Sequence, residues 1–177
     1  MPAAVVPRLS KARANVVRSM PPLRLGLLAA AIVAVLDQAS KYWIVEIVMQ
    51  PPKLIPITPF FNLVLGRNCG VSFGFLRLDC AVSAWVLSAL ALAIVVALVI
   101  WLRQAEGPWI AGALGLVIGG AIGNVFDRIF QGGGVVDFLD FYVGTFHWPA
   151  FNVADTAITI GAAILILESL FTRPEKE

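Results

Sequence analysis

Four long apolar stretches decide what this chain can become. They run from about Leu23 to Val48, from Ala81 to Leu102, from Gly107 to Phe126 and from about Pro149 to Phe171. The second has no charged residue. The third is uncharged and rich in glycine. The first is interrupted by Asp37, Lys41 and Glu46, and the fourth contains Asp155 and ends near Glu168. Each is long enough, at ~1.5 Å per residue, to cross ~30 Å of hydrocarbon as a helix. Composition points the same way: 59% of the 177 residues are hydrophobic and 14% are charged, against about 45–50% and about 25% in soluble domains. An ordinary soluble globule and a disordered tail are excluded. The expected fold class is an all-α membrane protein with four transmembrane helices and little mass outside the bilayer. A net charge of +2 gives no footing for nucleic acid. Two cysteines and one histidine fall short of the three or four N/S ligands of a usual zinc site, and neither metal nor cofactor is expected.

The run Leu25 to Leu36 follows a basic segment, as a signal-peptide core would. Asp37-Gln38-Ala39-Ser40-Lys41 follows it rather than a small-residue cleavage site, so it reads as a permanent span. Arg8, Lys11, Arg13, Arg18 and Arg24 precede the first span, Arg103 lies between the second and third, and Arg173 and Lys176 follow the fourth. The positive-inside rule then puts both termini in the cytoplasm. An Arg-rich, acid-free N-terminus also fits an organelle transit peptide, the alternative reading. The expected organisation is a basic cytoplasmic extension over 1–22, one four-helix domain over 23–172 and a cytoplasmic tail over 173–177. Segments of about 46–80 and 129–148 then lie outside. Trp43, Trp85 and Trp148 suit the outer interface, and Trp101 and Trp109 the inner one.

Pro51, Pro52, Pro56 and Pro59 forbid a long helix in the first outer segment. Ile55–Thr58, Phe60–Leu65 and Val71–Leu76 read as short antiparallel strands around a turn at Gly66–Gly70, a small sheet on the membrane surface. The second outer segment, with Gly132, Gly133 and Gly134 in a row, reads as a flexible or tightly turned loop.

Depth sorts the polar residues. Asp37 lies 13 residues after Arg24, so helical rise carries it ~20 Å outward. Asn124, Asp127 and Arg128 fall at the outer end of the third span, Asp137 in the outer loop, Asn152 and Asp155 in the first turns of the fourth span, and Asn68 in the outer sheet. Segments distant in sequence thus deliver polar groups to one layer. Taken singly, Asn152 is explained as a helix cap and Asp127–Arg128 as a surface pair. Together, at ~2.5–3.5 kcal/mol or more for an aspartate at a helix centre, they point to a site.

Asp137 and Asp155 can be brought together by the loop between them. Two neighbouring carboxylates in a low-dielectric site share a proton. The ionised one takes a proton from water, and the neutral one polarises a carbonyl and later protonates a leaving amine. This is aspartic peptide hydrolysis. Pairs of Cys69 or Ser72 with His147 are weaker candidates, because no Gly-x-Ser-x-Gly elbow is present and His147 beside Trp148–Pro149 reads as an interfacial residue. Cys69 and Cys80 are expected as free thiols, with a disulfide the alternative in an oxidising compartment. The rival function is a small proton-coupled transporter or exporter, which would need polar groups spread across the membrane or a midplane site with broken helices. A non-catalytic assembly protein is the third class.

Five blocks now resemble a known family. Asp37-Gln38-Ala39-Ser40-Lys41, Asn68-Cys69-Gly70-Val71-Ser72-Phe73, Gly119 to Arg128, Val135-Val136-Asp137-Phe138 and Phe151-Asn152-Val153-Ala154-Asp155 occur in the order found in bacterial lipoprotein signal peptidases, the type II signal peptidases. The resemblance spans about Leu23 to Phe171. It implies a membrane-embedded aspartic endopeptidase that cuts lipid-modified prolipoproteins just before the diacylglyceryl-cysteine, with Asp137 and Asp155 as the dyad. It implies that Asn68, Gly70, Asn124, Arg128 and Asn152 hold the substrate backbone and orient the carboxylates, and that Asp37 and Lys41 support them. It further implies a bacterial inner-membrane location, a site near the periplasmic face, and an outer sheet and mobile loop that close over the site. Membrane lipids are the other expected partner, and a monomer is expected. The glycine run places Asp137 one residue further from Arg128 than in many members. Gly115, Gly119, Gly120 and Gly123 are read as close helix packing or substrate contact.

Overall fold

The computed structural model describes residues 21–70, 80–132 and 134–171. The expected extension up to residue 20, the Val71–Leu76 strand, Ser72 and the tail lie outside the described residues. Four helices carry the spans: α1 (Pro22–Trp43), α2 (Cys80–Gln104), α3 (Pro108–Phe130) and α4 (Val153–Phe171). All four are long and apolar enough to cross a membrane. A π-helical turn, Ile44–Val48, extends α1, closed by the Met49 N–H donating to the Ile44 carbonyl at 2.9 Å.

Helix α3 is the hub, packing on α1, α2 and α4. Small residues make this possible. A Cβ on Gly115 or Gly119 would overlap the backbone of α1 at Gly26 and Ala30, and one on Gly120 would meet the Ala154 carbonyl of α4. The glycine stripe is therefore helix packing. Outward faces are apolar and exposed, as at Ile32, Val35, Leu90 and Leu167, and the five tryptophans sit exposed near the ends of the spans. This is a lipid-facing surface.

The outer elements form one antiparallel sheet in the order β1 (Ile55–Thr58), β2 (Phe61–Asn68), β3 (Val135–Val143), β4 (Phe146–His147). Three expectations are corrected here. Gly66 is inside β2 rather than in a turn, because β2 runs on to Asn68. The second outer segment is a strand pair rather than a loop, because the Val135–Val143 backbone has β2 as its ladder partner. Cys69 and Cys80 are not free; they form a disulfide, their Cα atoms being 5.2 Å apart. Helix α3 runs on to Phe130, with Asp127 and Arg128 at its outer end as expected. One span limit also moves. Helix α4 starts at Val153 rather than Pro149, because Phe151 is held extended by a bridge to Leu139.

Candidate active site

The site begins with a defect in the sheet. The β2–β3 register shifts between Leu63 and Gly66, an extra residue on β2 that places Gly66, not Leu65, opposite Asp137. A residue without a side chain thus faces Asp137. Asn68, two positions on and on the same face, becomes its diagonal neighbour. Asn68 hydrogen-bonds the Asp137 carboxylate, and its Oδ1 accepts the Gly70 N–H at 2.8 Å. Gly70 has φ +95°, a left-handed conformation that a side chain would strain.

The start of α4 supplies the other carboxylate. Asn152 is the N-cap and Asp155 the third helical residue, and they form a capping box. The Asp155 N–H donates to Asn152 Oδ1 at 2.9 Å, and the Asn152 N–H donates to Asp155 Oδ2 at 3.2 Å. Asn152 Nδ2 also donates to Asp137 Oδ1 at 2.8 Å. One fully buried residue therefore holds both aspartates. Asn124, from α3, donates to Asp155 Oδ1 at 2.9 Å and accepts from Asn152 Nδ2 at 3.3 Å.

Beneath this layer lies a buried charge network. Lys41 Nζ is 2.8 Å from Asp37 Oδ2, 2.8 Å from Asp127 Oδ2 and 3.0 Å from Asn124 Oδ1, with all three charged side chains fully buried. Asp37 Oδ1 accepts the Ala154 N–H at 3.0 Å, and Asp127 Oδ2 accepts the Val136 N–H at 3.1 Å. Each acid thus holds the backbone one residue before an aspartate of the pair. Gly123 lets Asp37 approach, since a Cβ there would overlap its carboxylate. Asp127 is not a surface pair with Arg128. Gln38 also donates to Asp127 Oδ1 at 2.8 Å, a role that only its position beside Asp37 hints at. Arg128 donates weakly to the Asn124 carbonyl at 3.4 Å, and its buried Nε has no hydrogen-bond partner among the described residues.

Burial first, and then the negative charge of Asp155, push the Asp137 carboxyl up to about 6 from 3.8, against hydrogen bonds from Asn68 and Asn152. A cavity of about 400 Å³ opens beside Asp155, walled by Trp148, Phe151, Thr156 and Ile160. His147 lies apart from the pair. Its Nδ1 is 2.9 Å from Asp140 Oδ1, its ring stacks on Tyr142, and Asn62 donates to the same carboxylate at 2.9 Å. With Cys69 in a disulfide and His147 on Asp140, no Cys69–His147 pair exists. Among the described residues no three His, Cys, Asp or Glu side chains gather as a metal-holding set.

The sequence-predicted residues converge: Asp137, Asp155, Asn68, Asn124 and Asn152 in direct contact, Asp37 and Lys41 one layer below, Arg128 at the rim, and Gly70 shaping the Asn68 turn. The family model described as signal peptidase (SPase) II matches residues 29–171. The chain is 43% identical over 157 residues to a lipoprotein signal peptidase of Beijerinckia indica, covering 88% of this chain and 93% of that one. It is 46% identical over 143 residues to one of Paraburkholderia phymatum, covering 80% and 84%. A solved structure described as a bacterial membrane enzyme matches with a TM-score of 0.72 at 30% identity, covering 84% of this chain and 94% of that one. Its sequence and its fold together make this chain a member of the signal peptidase II family of membrane peptidases.

Proposed function

We propose that the chain is an aspartic endopeptidase that removes the signal peptide from diacylglyceryl-modified prolipoproteins, cutting just before the lipidated cysteine. The observation that carries this reading is that Asn152 bonds both Asp137 and Asp155. In the reaction Asp155 takes a proton from water as the water oxygen attacks the scissile carbonyl, while neutral Asp137 polarises the carbonyl oxygen by donating a hydrogen bond to it. Asp137 then passes its proton to the departing amine as the C–N bond breaks, and the proton held by Asp155 returns to Asp137 for the next cycle. The raised Asp137 carboxyl suits the acid. Asn124 and Asn152 hold the two carboxylates in place, and Arg128 Nε, unpaired among the described residues, is a donor for a substrate carbonyl.

The depth of the pair fits the substrate. A diacylglyceryl group anchors its cysteine at the membrane surface, so the bond beside it must be cut near that surface. The distribution of basic residues supports cytoplasmic termini, with the sheet on the periplasmic side of a bacterial inner membrane. A disulfide between sheet and α2 suits that oxidising side. Asp137→Asn and Asp155→Asn are each expected to abolish cleavage of a diacylated precursor while the protein still accumulates in the membrane, and chelators are expected to leave wild-type turnover intact. Normal processing by either variant refutes the dyad.

A further inference from the structure

The hydrolytic reading makes no use of the two cysteines, yet they sit against it. The turn that leaves β2 is pinned to α2 at three points. Cys69 is bonded to Cys80, the first residue of α2. The Cys69 carbonyl accepts from Ser83 Oγ at 2.5 Å. Gly70 lies so close to Leu87 that a Cβ there would overlap it. Asn68 precedes Cys69 directly. Its Oδ1 is taken by the Gly70 N–H, which leaves its amide group for Asp137. Elsewhere α2 packs on α3 and, less, on α1.

We propose that the Cys69–Cys80 disulfide is a positioning clamp for catalysis: by fixing the Asn68–Gly70 turn to α2 it keeps the Asn68 amide on Asp137, and full turnover requires the oxidised pair. This rests on the peptidase reading above. Forming the bond removes two thiol protons and two electrons, which pass to a thiol–disulfide oxidant of the outer compartment. A dithiol or phosphine reductant returns them. Without the clamp, the turn is tied to α2, among the described residues, by one hydroxyl bond and one apolar contact, while the Asn68–Val135 pairing holds its other end on β3. Losing the Asn68 bond removes a partner of the ionised form of Asp137, so Asp137 releases its proton at higher pH. The charges facing Asp137, which are Asp155 from α4, Lys41 from α1 and Arg128 from α3, stay in place.

The test uses the full chain in detergent with a diacylated precursor. It compares the oxidised protein, the same protein reduced by a phosphine, the reoxidised protein, and the double variant Cys69→Ser/Cys80→Ser. The expected result is a fall in kcat of about tenfold, the worth of about one hydrogen bond in the site, with a smaller change in KM. The alkaline limb of the pH profile moves upward, and reoxidation restores both. In Asn68→Ala, reduction is expected to add nothing further. Unchanged kcat and pH profile on reduction overturn the clamp, as does an additive effect in Asn68→Ala. If the double variant fails to accumulate, the reduced and reoxidised protein decides. If the oxidised wild type leaves the diacylated precursor uncut, the peptidase reading falls and the clamp with it.

Discussion

Replacing Asp137 by Asn is expected to make the protein more stable while it stops working. Asp137 is only 4% exposed, and burial followed by the charge of Asp155 lifts its carboxyl to about 6 from 3.8. The folded chain therefore holds this proton more tightly than the unfolded chain does. Below the unfolded value both states are protonated and nothing is lost. As pH rises from there to the folded value the native state loses stability, and above about 6 the full cost is present. At ~1.36 kcal/mol per unit, the rise corresponds to about 3 kcal/mol near neutral pH. An amide keeps only one acceptor oxygen for donors that now serve a carboxylate, Asn152 Nδ2 and Asn68. The net gain is therefore about 1–2 kcal/mol. Thermal unfolding in detergent, followed by tryptophan fluorescence from mildly acidic to neutral pH, reads it. Wild type should weaken as pH rises through this window, and Asp137→Asn should weaken less and unfold at higher temperature near neutrality. A variant less stable than wild type at neutral pH, with the same pH slope, refutes the reasoning.

Lys41→Met leaves Asp37 and Asp127 buried without their shared cation, at a cost of about 3–5 kcal/mol; folded yield and melting in detergent check it, and surviving protein should cleave slowly because both carboxylate caps are disturbed. Gly119→Val would drive a side chain into the α1 backbone at Ala30; about 1–3 kcal/mol of stability should be lost, with turnover falling alongside, since α1 carries Asp37 and Lys41 while α3 carries Asn124 and Asp127. Protease protection in sealed vesicles should find both termini on the cytoplasmic side.

The four spans are legible because an apolar run of sufficient length has one stable form in lipid, and the tryptophans mark its ends. Asp137 and Asp155 are legible because acids at one depth need a reason. Other features are hidden for physical reasons. Val135–Val143 follows a glycine run and becomes a strand only because β2, far away in sequence, offers a ladder with one extra residue. Asp127 beside Arg128 looks like a surface pair until α1 and α3 pack closely enough for Lys41 to reach it. The disulfide depends on a Cα separation that sequence distance does not report. The start of α4 shifts because Phe151 pairs with Leu139, a tertiary contact that overrides an apolar run. Asn152 was readable as a cap, but its side-chain grip on Asp137 was not.

The reciprocal cap at the head of α4 has a consequence for the rate of the chemistry. Asp155 has one oxygen engaged by the Asn152 main chain and the other by the Asn124 amide, so its carboxylate plane cannot spin. On the proposed mechanism, orientation of the proton acceptor is settled once, when the last helix winds up in the bilayer, and no turnover has to search for it. Any sequence drift that frays this helix would also blunt the reaction, so membrane insertion and enzymatic competence are inherited together.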